Sequence, residues 1–339
     1  MLTADPTERQ PHHLEDLEEE LAAALPETQG SRFIPLISRW ALHVVPFILL
    51  SAAAWVLWRE FHEINAAQVA AAMRAWGQDA MLAALGLSAL SFLLMGLVEW
   101  LGLRWAGARL PWTATLAGSF IANAIAHSLG ANLLVSGAVR ARYYGQYGVT
   151  LRQVAATTLF QGFSFGVGLS SLAGASLLLA GAEEIADTRI AHPVADIAGL
   201  VLVAGVAGYI GLCALRRRPI RGFGHTLKLP SGRVAIAQAI LGAADNAVAA
   251  MIIWSLLPDG TVSYFSFVGA YAPSVAAGLA SSVPGGVGVF EGSLSTLLAN
   301  AQPAALAAAF LGYRLAYFLI PLTLAAAALA LDTLRRRTA

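Results

Sequence analysis

The chain has 339 residues, of which 58% are hydrophobic and 12% charged, and its formal net charge is +1. Soluble domains average about 25% charged residues, so a water-soluble globular protein is excluded. So small a net charge gives no electrostatic footprint for nucleic acid, and the single cysteine, Cys213, excludes an internal disulfide framework.

Residues 1–38 are polar and acidic, with the run Leu14-Glu15-Asp16-Leu17-Glu18-Glu19-Glu20-Leu21. A signal peptide begins with a basic region, so this segment is read as a mobile cytoplasmic tail. Residues 39–333 are expected to form the membrane domain and residues 334–339 a short basic cytoplasmic tail. Crossing ~30 Å of hydrocarbon takes about 20 apolar residues. Full spans are predicted at Trp40–Trp58, Met81–Leu103, Val154–Ala180, Val194–Leu215, Val234–Leu257 and Ala304–Leu331. The mean hydropathy of +0.66 agrees with such a chain. The expected class is therefore an all-α, polytopic integral membrane protein.

Two further apolar stretches, Thr113–Val139 and Tyr264–Asn300, are rich in small and polar residues and are broken by Gly or Pro. Arginine distribution orients the chain, because cytoplasmic loops carry the excess of basic residues. Arg104 and Arg109, then Arg140, Arg142 and Arg152, then Arg216–Arg218 with Lys228 and Arg233, and finally Arg335–Arg337 all mark the inside. Glu183, Glu184 and Asp187, and the turn Pro258-Asp259-Gly260, mark the outside. Each broken stretch then begins and ends on one side, so each crosses an even number of times. The first enters from the cytoplasm and the second from outside. This predicts six full spans plus two broken or re-entrant hairpins, both termini cytoplasmic, in the manner of an inverted repeat.

The most informative break is Ser281-Ser282-Val283-Pro284-Gly285-Gly286-Val287-Gly288-Val289-Phe290-Glu291. Pro284 lacks a backbone donor and Gly285 and Gly286 admit conformations closed to other residues. Within a membrane, irregular backbone survives only against protein or a wet cavity. Glu291 follows directly, and an intramembrane carboxylate is paired or functional.

Other polar residues interrupt the apolar runs. Asn123 and His127 are four apart and share a helix face, as a polar wall for a head group or as interhelical hydrogen-bonding groups. Asp245 and Arg314 fall at matching depth, which predicts a buried pair that a head group could enter. Arg140 and Arg142, followed by Tyr143 and Tyr144, combine guanidinium forks suited to phosphate with interfacial aromatics. Glu99 is read as interfacial. No phosphate-binding glycine loop ending in Lys-Ser or Lys-Thr, no His-Glu-x-x-His and no nucleophile elbow occur, so no ATPase, metal site, cofactor or catalytic residue is expected.

Three ordered segments resemble one family. His127-Ser128-Leu129-Gly130 with Ser136-Gly137-Ala138-Val139-Arg140-Ala141-Arg142-Tyr143, then Val283-Pro284-Gly285-Gly286-Val287-Gly288-Val289-Phe290-Glu291, then Tyr313-Arg314-Leu315-Ala316-Tyr317 with Pro321, are similar to signatures of the lysylphosphatidylglycerol synthase/flippase transmembrane region. The likeness covers roughly residues 40–331. It implies a bacterial inner-membrane domain that moves aminoacylated phosphatidylglycerol or a related polar phospholipid between leaflets. The aminoacyltransferase domain of bifunctional members has no counterpart before Ala339, so lipid aminoacylation is not expected.

The leading expectation is a lipid flippase or transporter whose head-group site draws on Asn123, His127, Arg140, Arg142, Asp245, Pro284, Gly285, Gly286, Glu291 and Arg314. Arg140 and Arg142 would gather phosphate, and Asp245, Glu291 and Arg314 would line the midplane. The alternatives are an integral-membrane enzyme acting on lipid, with His127, Asp245 or Glu291 as acid or base, and a non-catalytic membrane assembly subunit. Expected partners are membrane lipids, a second copy of the chain or a separate lipid-modifying enzyme.

Overall fold

A computed structural model describes residues 66–76, 78–129, 132–179, 192–216, 220–222, 225–227, 229–281, 284–298 and 301–338. The tail 1–38, the span Trp40–Trp58, the acidic loop at Glu183, Glu184 and Asp187, and residues Arg217, Arg218 and Lys228 lie outside the described residues.

The helices run α1 (Ala66–Ala75), α2 (Gln78–Trp105), α3 (Trp112–Leu129), α4 (Asn132–Gly145), α5 (Leu151–Leu179), α6 (His192–Leu215), α7 (Gly232–Trp254), α8 (Tyr264–Ala280), α9 (Val289–Leu297), α10 (Pro303–Tyr313) and α11 (Ile320–Thr338). A π-helical turn, Arg314–Leu319, joins α10 to α11. A short antiparallel ribbon, Ile220–Gly222 with His225–Leu227, lies between α6 and α7, where the sequence reading has only a loop. The backbone of α11 continues through Thr338, so residues 334–338 extend the last helix.

Among the described residues, five helical segments are long and apolar enough to cross a membrane: Asp79–Trp105, Leu151–Leu179, Pro193–Leu215, Gly232–Trp254 and Pro303–Leu331. They match five of the expected spans within a few residues. Local chemistry sets their starts. The Ser231 hydroxyl accepts from the Val234 amide to cap α7, and the Ser263 hydroxyl accepts from the Ser266 amide to cap α8. Pro303 opens α10, where its missing N–H costs nothing.

Each broken stretch folds as two helices. At ~1.5 Å per residue, α3 with 18 residues and α4 with 14 are about 27 and 21 Å long. The second pair is more uneven: α8 has 17 residues, about 26 Å, and α9 has 9, about 14 Å. A helix of about 14 Å is half the ~30 Å hydrocarbon thickness, so α9 by itself is too short to span it. Its turn, Pro284–Gly286, has φ near +64° at both Gly285 and Gly286. That left-handed backbone is open to glycine and strained for other residues.

The core forms where α7 packs between α2 and α5. At the α5–α7 crossing the two helices touch through Gly168 and Gly242, and a Cβ placed on Gly242 would meet the Ser164 carbonyl oxygen at 2.5 Å. This close approach brings α5 and the polar middle of α7 together. The Gln238 amide donates to Ser164 Oγ at 2.9 Å, and Tyr209 of α6 donates to Gln238 Oε1 at 2.6 Å.

Candidate functional site

The tips of the two hairpins meet. A Cβ added at Gly285 would lie 3.7 Å from the carbonyl oxygen of His127, near the end of α3, and 3.6 Å from a guanidinium nitrogen of Arg314. Beside this meeting point is a cavity of about 140 Å³. Its polar lining is His127, Asp245, Asn246, Arg314 and the tyrosines Tyr271, Tyr313 and Tyr317, with the backbone of Gly285 and Gly286 on one side. Phe165, Phe290 and Phe318 are among the apolar residues of the wall.

The π turn builds much of this wall. Its wider ring changes the phase of the helix at Arg314, and Arg314, Tyr317 and Phe318 all reach the cavity. Such single π turns recur at functional sites. Stacking fixes the aromatics: Tyr313 and Tyr317 lie with ring centroids 5.2 Å apart, and His127 lies 5.6 Å from Tyr317 and 6.1 Å from Phe318.

Three side-chain atoms of cavity-lining residues are themselves fully buried and lack a hydrogen-bond partner: His127 Nδ1, Asn246 Oδ1 and Arg314 Nε. An unmet buried polar group costs about 1–3 kcal/mol. His127, Asp245, Asn246 and Arg314 bring donors, acceptors and charge to the lining of one cavity.

Among the described residues, the buried charged side chains bond to other protein groups. Arg314 donates to Glu291 Oε1 through its terminal nitrogen, and Glu291 Oε2 accepts from the Gly288 amide at 2.9 Å. Glu291 therefore caps α9 and braces Arg314 from behind the cavity. The expected Asp245–Arg314 pair is replaced by this Glu291–Arg314 pair. Asp245 instead accepts from Ser91 Oγ at 2.5 Å, and Ser91 Oγ lies 2.9 Å from the Tyr317 hydroxyl. Ser91, Asp245 and Tyr317 each lie within about two residues of the middle of their spans.

Arg140 is also placed differently from the expectation. It is 1% exposed and donates to both carboxylate oxygens of Glu99, through Nε at 2.7 Å and a terminal nitrogen at 2.8 Å. The same terminal nitrogen reaches Asn123 Oδ1 at 3.3 Å, and Asn123 Nδ2 donates to Ser119 Oγ. Glu99, read from the sequence as interfacial, is fully buried. The physical reason is helical phase. Ser136, Arg140 and Tyr144 recur every four residues on the buried face of α4, whereas Arg142, two residues on from Arg140, is turned by about 200° and is exposed. Arg140 and Arg142 cannot form one phosphate clamp.

The sequence-derived set thus separates into three places. His127, Asp245, Gly285, Gly286 and Arg314 line the cavity, with Pro284 opening the turn beside it and Glu291 directly behind. Asn123 and Arg140 belong to the Glu99 cluster, and Arg142 lies on the opposite face of α4. Ser91 and Tyr271 carried no signal in the sequence, and Tyr313 and Tyr317 appeared only within the third family signature. The four-residue spacing of Tyr313 and Tyr317 beside Arg314 was the signal available for the last two.

A family model, lysylphosphatidylglycerol synthase TM region, matches residues 44–325. The inner membrane protein YbhN of Escherichia coli is 30% identical over 305 residues, covering 87% of this chain and 91% of that protein. Uncharacterized protein slr0712 of Synechocystis is 29% identical over 270 residues, covering 78% of this chain and 82% of that protein.

Proposed function

This chain belongs to the family of the lysylphosphatidylglycerol synthase TM region, a membrane protein with a lipid-related function, and from that premise we propose that it moves a polar phospholipid between the leaflets of the inner membrane. The observation that carries the proposal is one cavity, where two hairpin tips meet, lined by His127, Asp245, Asn246 and Arg314.

Pockets for drug-sized molecules run from about 300 to 1,000 Å³, and the cavity here has about 140 Å³. It suits a head group, with the acyl chains left in surrounding lipid. Arg314 and His127 donate to phosphate or hydroxyl oxygens, Asn246 offers its amide, and Asp245 supplies negative charge. Gly285 and Gly286, with no side chains, allow the head group to approach backbone. Glu291 sets the position of Arg314 without touching the cargo. An aminoacylated phosphatidylglycerol fits this pattern of donors and acceptors. The reading includes no bond-breaking step, so the purified chain should leave the lipid chemically unchanged. The arginine-rich loops support a cytoplasmic location for both termini.

The test is lipid movement in vesicles containing the purified chain and a panel of head-labelled lipids. His127→Phe keeps the aromatic packing and removes the ring nitrogens. Loss of one hydrogen bond of about 1–1.5 kcal/mol should slow movement roughly five- to tenfold per folded molecule. Unchanged movement of every lipid in the panel would return the cavity to a packing defect.

A further inference from the structure

Among the described residues, the buried charges do not balance evenly. Arg140 is matched by Glu99 and Arg314 by Glu291. Asp245, 6% exposed, hydrogen-bonds to Ser91 rather than to any cation. The groups around it come from every element packed on α7. Helix α2 presents Ser91, α8 presents Tyr271, α10 presents Tyr313, and the π turn presents Tyr317. Helix α5 contributes Phe165, and α6 contributes Tyr209, which is bonded to Gln238 further along α7. The basic groups sharing the cavity are His127 and Arg314, the latter held by Glu291.

A carboxylate taken out of water without a counter-charge neutralises itself by binding a proton. The geometry leaves room for that proton. Ser91 donates to Oδ1 of Asp245, so Oδ2 remains to carry it, and the cavity gives access. Such intramembrane carboxylates recur in proton relays.

We propose that Asp245 is a proton-binding site, and that its proton exchanges with the polar head group in the cavity, coupling lipid movement to the proton gradient. One proton adds to the carboxylate to give the neutral acid, and the same proton leaves to restore the anion. No electrons move and no other bond changes. When cargo brings positive charge to Asp245, the proton is displaced, and when cargo leaves, a proton returns. The coupling rests on the lipid-movement reading, whereas the proton site stands on the charge balance alone.

The experiment has two arms. The first is infrared difference spectroscopy of the full purified chain in nanodiscs of phosphatidylethanolamine and phosphatidylglycerol, between about pH 4 and about pH 9, the range over which buried carboxyls titrate. The expected result is a protonated-carboxyl band that is lost in Asp245→Asn and displaced in Asp245→Glu. The Glu variant keeps a carboxyl and answers the question even where the Asn variant fails to fold. Spectra in which neither wild type nor Asp245→Glu differs from Asp245→Asn would overturn the proton site.

The second arm follows fluorescently labelled phosphatidylethanolamine in vesicles with an imposed pH difference. Each pH unit is worth about tenfold in distribution per proton exchanged. Wild type should redistribute the lipid toward that limit, and Asp245→Asn should ignore the gradient while its thermal unfolding stays near wild type. A gradient response retained in Asp245→Asn would overturn the coupling. An Asp245 band in a protein that moves no lipid under any gradient would uphold the proton site and sink the lipid-movement reading instead.

Discussion

Replacing Arg140 with methionine removes a guanidinium that makes two hydrogen bonds to Glu99 and a third to Asn123. Glu99 is 0% exposed, so the substitution strands a carboxylate with no water to receive it. Breaking a buried pair from one side typically costs about 3–5 kcal/mol, and the third contact adds up to about 1 kcal/mol. Removing both charges with shape-matched apolar residues is often neutral or stabilising. Arg140→Met alone should therefore lose about 3–6 kcal/mol, and Glu99→Met with Arg140→Met should recover most of it. The assay is a double-mutant cycle by denaturant or thermal unfolding of the purified chain, with lipid movement per folded molecule measured alongside. Two results would refute the reasoning. One is a single mutant within about 1 kcal/mol of wild type, since that would show the pair is not desolvated. The other is a stable double mutant that moves no lipid, which would restore Arg140 to the phosphate-gathering role.

Glu291→Gln should lower stability by about 1–3 kcal/mol, because the amide keeps at most part of the bonding to Arg314 and Gly288 while leaving the arginine uncompensated; normal thermal stability would show that Glu291 braces nothing. Gly286→Ala, at φ of +64°, should cost about 1–2 kcal/mol from backbone strain. The check is its melting point against that of Gly278→Ala, whose added Cβ meets only ordinary contacts of 3.4 Å or more inside a helix. In a Cys213→Ser background, single cysteines at Glu184 and Arg218 should label from opposite sides of the membrane. Labelling from one side would overturn the arginine-based orientation.

The membrane class, five described spans, two broken stretches and the family were all legible in the chain. Hydropathy is local and additive, so an apolar run of about 20 residues announces a span whatever it later packs against. Breaks are equally local, because Pro and paired Gly act on their own backbone, as at Pro284–Gly286. Which charges meet is a different kind of property. Glu99 and Arg140 are 41 residues apart, Glu291 and Arg314 are 23, and Ser91 and Asp245 are 154. Matching depth placed Asp245 and Arg314 level with each other, but depth says nothing of rotation about the helix axis. At about 100° per residue, one or two positions decide whether a side chain faces a cavity, a partner or lipid. That phase separated Arg140 from Arg142. The π turn after Tyr313, invisible in hydropathy, reset it for Arg314, Tyr317 and Phe318. The ingredients of the polar interior were therefore written in the sequence. Their pairing, and the polar lining of the cavity, were decided by helix rotation and contact in the tertiary structure.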